Sequence, residues 1–181
     1  VWLEDEDFDI LKRHGVTVAC CPASNLKLAS GYANVPKMLE SGINVALGTD
    51  GAASNNNLNI MQDMYLFGVV YKGYFRDPTI ITPAEVLHAA TRAGALSQGR
   101  DDSGLLAVGM RADLCVLNTD TPQFTPMTSA ACNVVYAAQG ADIRMTMVDG
   151  EVLYRDGEFK TIDIEKVKAE VQRRTDSILS R

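Results

Sequence analysis

Two kinds of apolar run alternate along the first half of the chain, and their difference predicts the architecture. Phe8, Ile10 and Leu11 punctuate a charged stretch, residues 5–13, that ends in His14-Gly15. That pattern predicts a short helix with a glycine stop and a histidine near its negative end. Val16-Thr17-Val18-Ala19-Cys20 is continuous and β-branched, so a buried strand is expected there. Residues 22–31 read as a polar loop, residues 35–41 as a helix stopped by Gly42, and residues 43–47 as a second apolar strand that runs into Gly48-Thr49-Asp50-Gly51. The loop through Asn57 is rich in glycine, serine and asparagine. Residues 58–75 carry a broad apolar stripe of Ile60, Met61, Met64, Leu66, Phe67, Val70 and Tyr71, the signature of a long helix. Thr82-Pro83-Ala84-Glu85 is a capping box with proline at the first helical position, opening a helix to about residue 96.

Apolar strands separated by helices predict an α/β fold, a parallel sheet covered on both faces. After Gly99 the pattern changes to short strands without intervening helices: residues 113–117, 134–138, 145–148 and 151–154, with 105–109 leading into the first of them. Asp149-Gly150 between the last two is a two-residue hairpin signal. Asp163 caps a final helix with Ile164, Val167, Val171 and Ile178 on one stripe. The expected organisation is therefore residues 1–98 as strands and helices, 99–160 as a small β unit, and 161–181 as a C-terminal helix.

Asp50 is the most suggestive residue. It stands where an apolar strand ends, and the carboxyl ends of parallel strands are where ligands bind in such sheets. A carboxylate there can ligate a metal and accept a proton from the water the metal activates. A solvated turn aspartate would have the same sequence, because Thr-Asp-Gly suits many turns. Ser24, Asn25, Asn55, Asn56 and Asn57 could line a pocket, though serine and asparagine also build ordinary loops. His14 reads as a helix C-terminal residue and His88 as a residue within the capped helix.

Composition narrows the classes. The chain has 181 residues, 46% of them apolar by type, and a formal charge of −6, with a mean hydropathy of −0.03. That is one domain, with room for an appendage, able to bury roughly two-thirds of its unfolded surface, and too apolar for disorder. No run approaches the ~20 apolar residues of a membrane helix, and the net negative charge argues against nucleic acid as a partner. Four cysteines, Cys20, Cys21, Cys115 and Cys132, lack zinc-knuckle spacing. They read as small buried hydrophobes in a reducing compartment. With an N-terminus unlike a signal peptide, the expected location is the cytoplasm. The absence of an initiator Met leads to the expectation that the chain lost its beginning or is not a complete gene product. With only two histidines, and neither HxH nor HxxxH spacing, no zinc motif is complete in the sequence.

Two loops, Cys21-Pro22-Ala23-Ser24-Asn25-Leu26-Lys27-Leu28-Ala29-Ser30-Gly31 and Leu47-Gly48-Thr49-Asp50-Gly51-Ala52-Ala53-Ser54-Asn55-Asn56, closely resemble the amidohydrolase superfamily. The similarity is to the branch of S-adenosylhomocysteine/5′-methylthioadenosine deaminases and triazine chlorohydrolases. Gly109-Met110-Arg111-Ala112-Asp113-Leu114 and Met147-Val148-Asp149-Gly150-Glu151 resemble its C-terminal signature. The resemblance covers the whole chain. It implies the C-terminal portion of a (β/α)8 TIM-type barrel, with part of a small β-sandwich domain and a C-terminal helix. Residues 16–20 and 43–47 would be the seventh and eighth strands.

By that resemblance Asp50 is both metal ligand and proton shuttle, and Ser24, Asn25, Gly51 and Ser54 border the substrate. The cofactor implied is one divalent metal, zinc or iron, whose other ligands are not in this chain. The family's HxH pair, its histidines at the fifth and sixth strands and its glutamate acid have no counterpart here, so the sequence resembles roughly the C-terminal two-fifths of a deaminase. The activity implied is hydrolytic deamination of an adenine-type nucleoside or related N-heterocycle by the complete protein. The expected partners are a small-molecule substrate, the N-terminal half of the same protein, and further copies in a homo-oligomer. Two other readings stand beside it: a non-catalytic structural or interaction fragment, and a hydrolase with another leaving group, of chlorohydrolase or cyclic amidase type.

Overall fold

A computed structural model describes residues 1–180; residue 181, the last of the expected C-terminal helix, lies outside the described residues. The chain divides into two compact units. One comprises Val1–Met110 with Thr119–Asp142, the other Arg111–Asn118 with the chain from Ile143 onward. The division is thus not the contiguous one read from the sequence, because residues 99–110 and 119–142 cluster with the first unit.

The first unit opens with α1, Asp5–Arg13, whose start is closed by a capping box in which the Glu4 N–H donates to Asp7 Oδ2 at 2.8 Å. Strands β1, Val18–Cys20, and β2, Val45–Leu47, pair in parallel, with Val18 opposite Val45 and Cys20 opposite Leu47. Both are shorter than their apolar runs. All three residues of β2 are buried, whereas β1 buries only Cys20 fully. Helix α2, Pro22–Lys27, follows β1 directly, and α3, Val35–Glu40, leads back toward β2. A single helical turn, α4 (Ala52–Asn55), precedes α5, Ile60–Phe75.

The stretch 83–96 is two helices rather than one: α6, Pro83–Ala90, and α7, Arg92–Ser97. Thr91 departs from helical backbone between them, and its Oγ1 donates to Leu87 O at 2.6 Å. A threonine hydroxyl that takes an i−4 carbonyl competes with the backbone ladder, which locates the break. The polar stretch expected to be loop at 22–31 also contains α2, because Pro22 sits at the first helical position with φ already set.

The largest departure is at residues 134–138, where a strand was expected. They belong instead to α8, Ala130–Tyr136, and the turn after it. The Ser129 side chain accepts the Cys132 N–H and starts the helix. Its docking partner is Gly68 on α5, where a Cβ would stand 3.2 Å from Val135 Cγ1 and 3.1 Å from Tyr136 Cε1. The missing side chain lets the two helices approach, and this packing outweighs the β preference of Val134 and Val135.

The core of this unit joins Phe8, Val35, Met38, Val45, Phe67, Tyr71, Val86 and Val135. Phe67 has no exposed surface, and truncating so buried a ring to alanine costs about 3–5 kcal/mol.

The second unit is a four-stranded antiparallel sheet in the order β3 (Leu114–Leu117), β4 (Ile143–Val148), β5 (Glu151–Arg155), β6 (Glu158–Phe159), followed by α9, Ile164–Leu179. Asp149 and Gly150 both take positive φ, 52° and 81°, as a two-residue hairpin requires. Asp156-Gly157 repeats the device between β5 and β6 with φ of 50° and 94°; that second Asp-Gly marks a strand the hydrophobic pattern did not. The stripe on α9 is exposed, Val171 and Ile178 at 58% and 67%.

Candidate active site

Parallel pairing aligns the carboxyl ends of β1 and β2, so the loops that follow them lie side by side. Gly48 N–H donates to Cys20 O at 2.9 Å and continues the pairing one step beyond β2. A Cβ at Gly48 would stand 3.2 Å from Cys21 Sγ, so only a residue without a side chain leaves the sulfur unmoved. The Cys21 thiol is pushed up, chiefly by burial.

Asp50 then turns into the left-handed region at φ 61° and presents an exposed carboxylate. Ser24 Oγ, on α2 and 4% exposed, donates to Asp50 Oδ2 at 2.7 Å. The Gly51 N–H donates to Oδ1, also at 2.7 Å. These bonds, with the Ser54 hydroxyl nearby, favour the anion and hold the Asp50 carboxyl below its ordinary value, the Ser24 bond contributing most. Ser54, on α4, directs its proton to Gly51 O at 3.0 Å.

Of the residues expected from sequence, Ser24, Gly51 and Ser54 are therefore gathered around Asp50. Asn25 is half-buried and joins the α2 turn by backbone bonds, its N–H to Cys21 O and its carbonyl from Ser30 N–H, both at 2.9 Å.

Two buried residues complete the neighbourhood: Asn55, which the sequence offered as a pocket residue, and Asp63, which it did not. Asn55, 8% exposed, donates through Nδ2 to Thr49 O at 2.7 Å and to Asp63 Oδ2 at 3.1 Å. Asp63, 1% exposed, accepts the Ala23 N–H on Oδ1 at 3.1 Å. Burial pushes the Asp63 carboxyl up, opposed by the bonds from Ala23 and Asn55. The signal that could have found it is a charged residue on the apolar face that Ile60, Met64 and Phe67 define.

The two histidines lie elsewhere: His14 is the exposed C-cap of α1 and His88 is exposed on α6. Among the described residues no group of three or more His, Cys, Asp or Glu could hold a metal ion. The cysteines do not share one environment. Cys20 is buried, 3.1 Å from Tyr71 Oη, with its thiol pushed up to about 11 by burial. Cys21 is half-buried, whereas Cys115 and Cys132 are exposed, so the expectation of four buried cysteines fails for those two. Both of these lie on faces left open to solvent, Cys115 on an outward position of β3 and Cys132 in the first turn of α8. No helix among the described residues is long and apolar enough to cross a membrane.

The site is a strand-end carboxylate framed by small polar segments on an α/β scaffold, and comparison with known proteins gives the family. The amidohydrolase family profile matches residues 1–153, and the chain belongs to that family. It is 41% identical over 181 residues to the 5′-deoxyadenosine deaminase of Methanosarcina mazei, covering 100% of this chain and 42% of that protein. It is 45% identical over 173 residues to the 5-methylthioadenosine/S-adenosylhomocysteine deaminase of Acetivibrio thermocellus, covering 95% and 40%. Among solved structures, an adenosine deaminase from Xanthomonas campestris with bound zinc superposes with a TM-score of 0.95 at 29% identity, over 99% of this chain and 41% of that one. The atrazine chlorohydrolase of Arthrobacter aurescens, complexed with zinc, gives 0.87 at 26% identity, over 96% and 39%. The chain thus spans about two-fifths of the length of the relatives it matches.

Proposed function

We propose that this chain is the C-terminal part of a metal-dependent aminohydrolase. In this reading the complete polypeptide deaminates an adenine-type nucleoside (5′-deoxyadenosine, methylthioadenosine, S-adenosylhomocysteine or adenosine), and the chain by itself is inactive. The observation that carries the reading is the exposed Asp50 carboxylate at the end of a parallel strand, oriented by Ser24 and Gly51. The deaminases among its relatives, at 41% and 45% identity, favour ammonia as the leaving group over the chloride of the more distant chlorohydrolase.

Each Asp50 oxygen accepts one local donor and keeps a lone pair for a cation, so the residue fits as one ligand of a divalent metal, zinc or iron. A catalytic zinc takes about three protein ligands, and the others belong to the remainder of the protein. Such a metal, when bound, makes water a nucleophile at neutral pH. Asp50 then accepts a proton as water adds to the ring carbon bearing the amino group, and returns it to the departing nitrogen. The C–N bond breaks, ammonia leaves, and the ring keeps the oxygen. Ser24, Gly51 and Ser54 keep the carboxylate in one orientation for both transfers, and Asn25 borders the same pocket.

The same proposal makes β1 and β2 the seventh and eighth strands of a (β/α)8 barrel and the second unit part of a small β-sandwich. A cytoplasmic homo-oligomer completes it, and sedimentation of the full-length protein as a monomer would remove that element. The central test is ammonia release by the full-length, zinc-loaded protein from the four nucleosides, with a chlorinated triazine as comparison. Ammonia from none of them sinks the reading.

A further inference from the structure

Asp63 is buried on α5, yet its two oxygens reach both loops that frame Asp50. Oδ1 accepts the N–H of Ala23, the residue before Ser24, whose hydroxyl meets Asp50 Oδ2 at 2.7 Å. Oδ2 accepts Asn55 Nδ2, and that same nitrogen donates at 2.7 Å to the carbonyl of Thr49, the residue before Asp50. The position lies on the apolar face of a sixteen-residue helix, beside Met64 and Phe67, which are 3% and 0% exposed. Core packing there calls for a leucine, since a buried carboxylate is costly unless its oxygens are bonded. The donors it accepts account for an aspartate. Ala23 N–H belongs to the first turn of α2, where amides lack helical partners, and the Asn55 amide is held between the Thr49 carbonyl and this carboxylate.

We infer that Asp63 is a positioning residue for Asp50. One carboxylate rooted in α5 ties down the loop after β1 through Ala23 and the loop after β2 through Asn55, so that Ser24 and Asp50 meet. Its kinetic consequence rests on the reading of Asp50 as the working carboxylate; its structural consequence does not.

The test uses the full-length protein, with steady-state kinetics on the nucleosides above and crystal structures of the variants. Asp63→Asn keeps the size of the side chain but only one acceptor oxygen, so either the Ala23 N–H or the Asn55 amide faces a second donor. At a temperature where the variant is fully folded, kcat is expected to fall about tenfold or more with KM little changed. Asp63→Glu, which keeps both acceptors, is expected to recover most of that loss. In the Asp63→Asn crystal, Ser24 Oγ and Asp50 Oδ2 are expected to separate beyond hydrogen-bonding reach. A folded Asp63→Asn protein that keeps the 2.7 Å contact overturns the inference, whatever its kcat, and so does wild-type kcat in an active enzyme. If the wild type deaminates no nucleoside, the functional reading fails, and the crystal contact alone decides this inference. If Asp63→Asn does not fold, Asn55→Ala removes the link from Asp63 Oδ2 to Thr49 and leaves the Ala23 bond in place; a displaced Thr49-Asp50 segment with lowered kcat supports the inference, and an unmoved segment overturns it.

Discussion

The Ser24 hydroxyl and the Asp50 carboxylate meet at 2.7 Å although one residue lies on the helix after β1 and the other in the loop after β2. The bond is the main reason the Asp50 carboxyl sits below its ordinary value. Ser24→Ala removes it and lets that value rise toward the ordinary 3.8. Without the Ser24 donor the anion is less favoured, so in the metal-free protein the Asp50 carboxyl of the variant takes up its proton at a higher pH than that of the wild type. An NMR titration of the Asp50 carboxyl in both metal-free proteins measures this, and a value that stays put counts against the orienting role of Ser24.

Asp50→Asn keeps the shape of the side chain but cannot take up the proton. General acid–base groups contribute about 10²–10⁴-fold, and a loss of that size in kcat is expected for the full-length enzyme. Retention of wild-type ammonia release would contradict the role given to Asp50.

Gly68→Ala sets a methyl 3.1 Å from Tyr136 and 3.2 Å from Val135, which is 1% exposed. Better helix propensity returns up to ~1 kcal/mol, while crowding in a packed core costs about 1–3 kcal/mol. The expected net effect is a loss of stability, read as a lower urea midpoint. A midpoint at or above that of the wild type would mean that α8 moves aside without cost.

Thiol labelling separates the cysteines. Cys115 and Cys132 are exposed, and Cys20, pushed up to about 11, is both buried and protonated at neutral pH. An aromatic disulfide reagent should therefore modify the first two rapidly and reach Cys20 only on unfolding. Rapid modification of Cys20 in the folded protein, located by peptide mass, would show that the Cys20–Tyr71 contact opens.

The local rules were readable from the chain itself. The Asp149-Gly150 hairpin follows from two residues that tolerate positive φ, and the start of α6 from Thr82 and Glu85, whose capping box forms as expected. Asp50 could be singled out because a strand's end is marked by where its apolar run stops. What could not be read depends on residues far apart in sequence. Val134 and Val135 favour a strand by type, and only the space above Gly68 makes a helix the better answer. Asp63 looked like one more residue of a long helix until its partner proved to be the Ala23 amide, 40 residues earlier. Hydrophobic period and turn chemistry act over a few residues and so are written locally. The pairing of buried donors with buried acceptors is decided only when the loops after β1 and β2 are brought side by side, since a buried polar group takes whichever partner the packing places within reach.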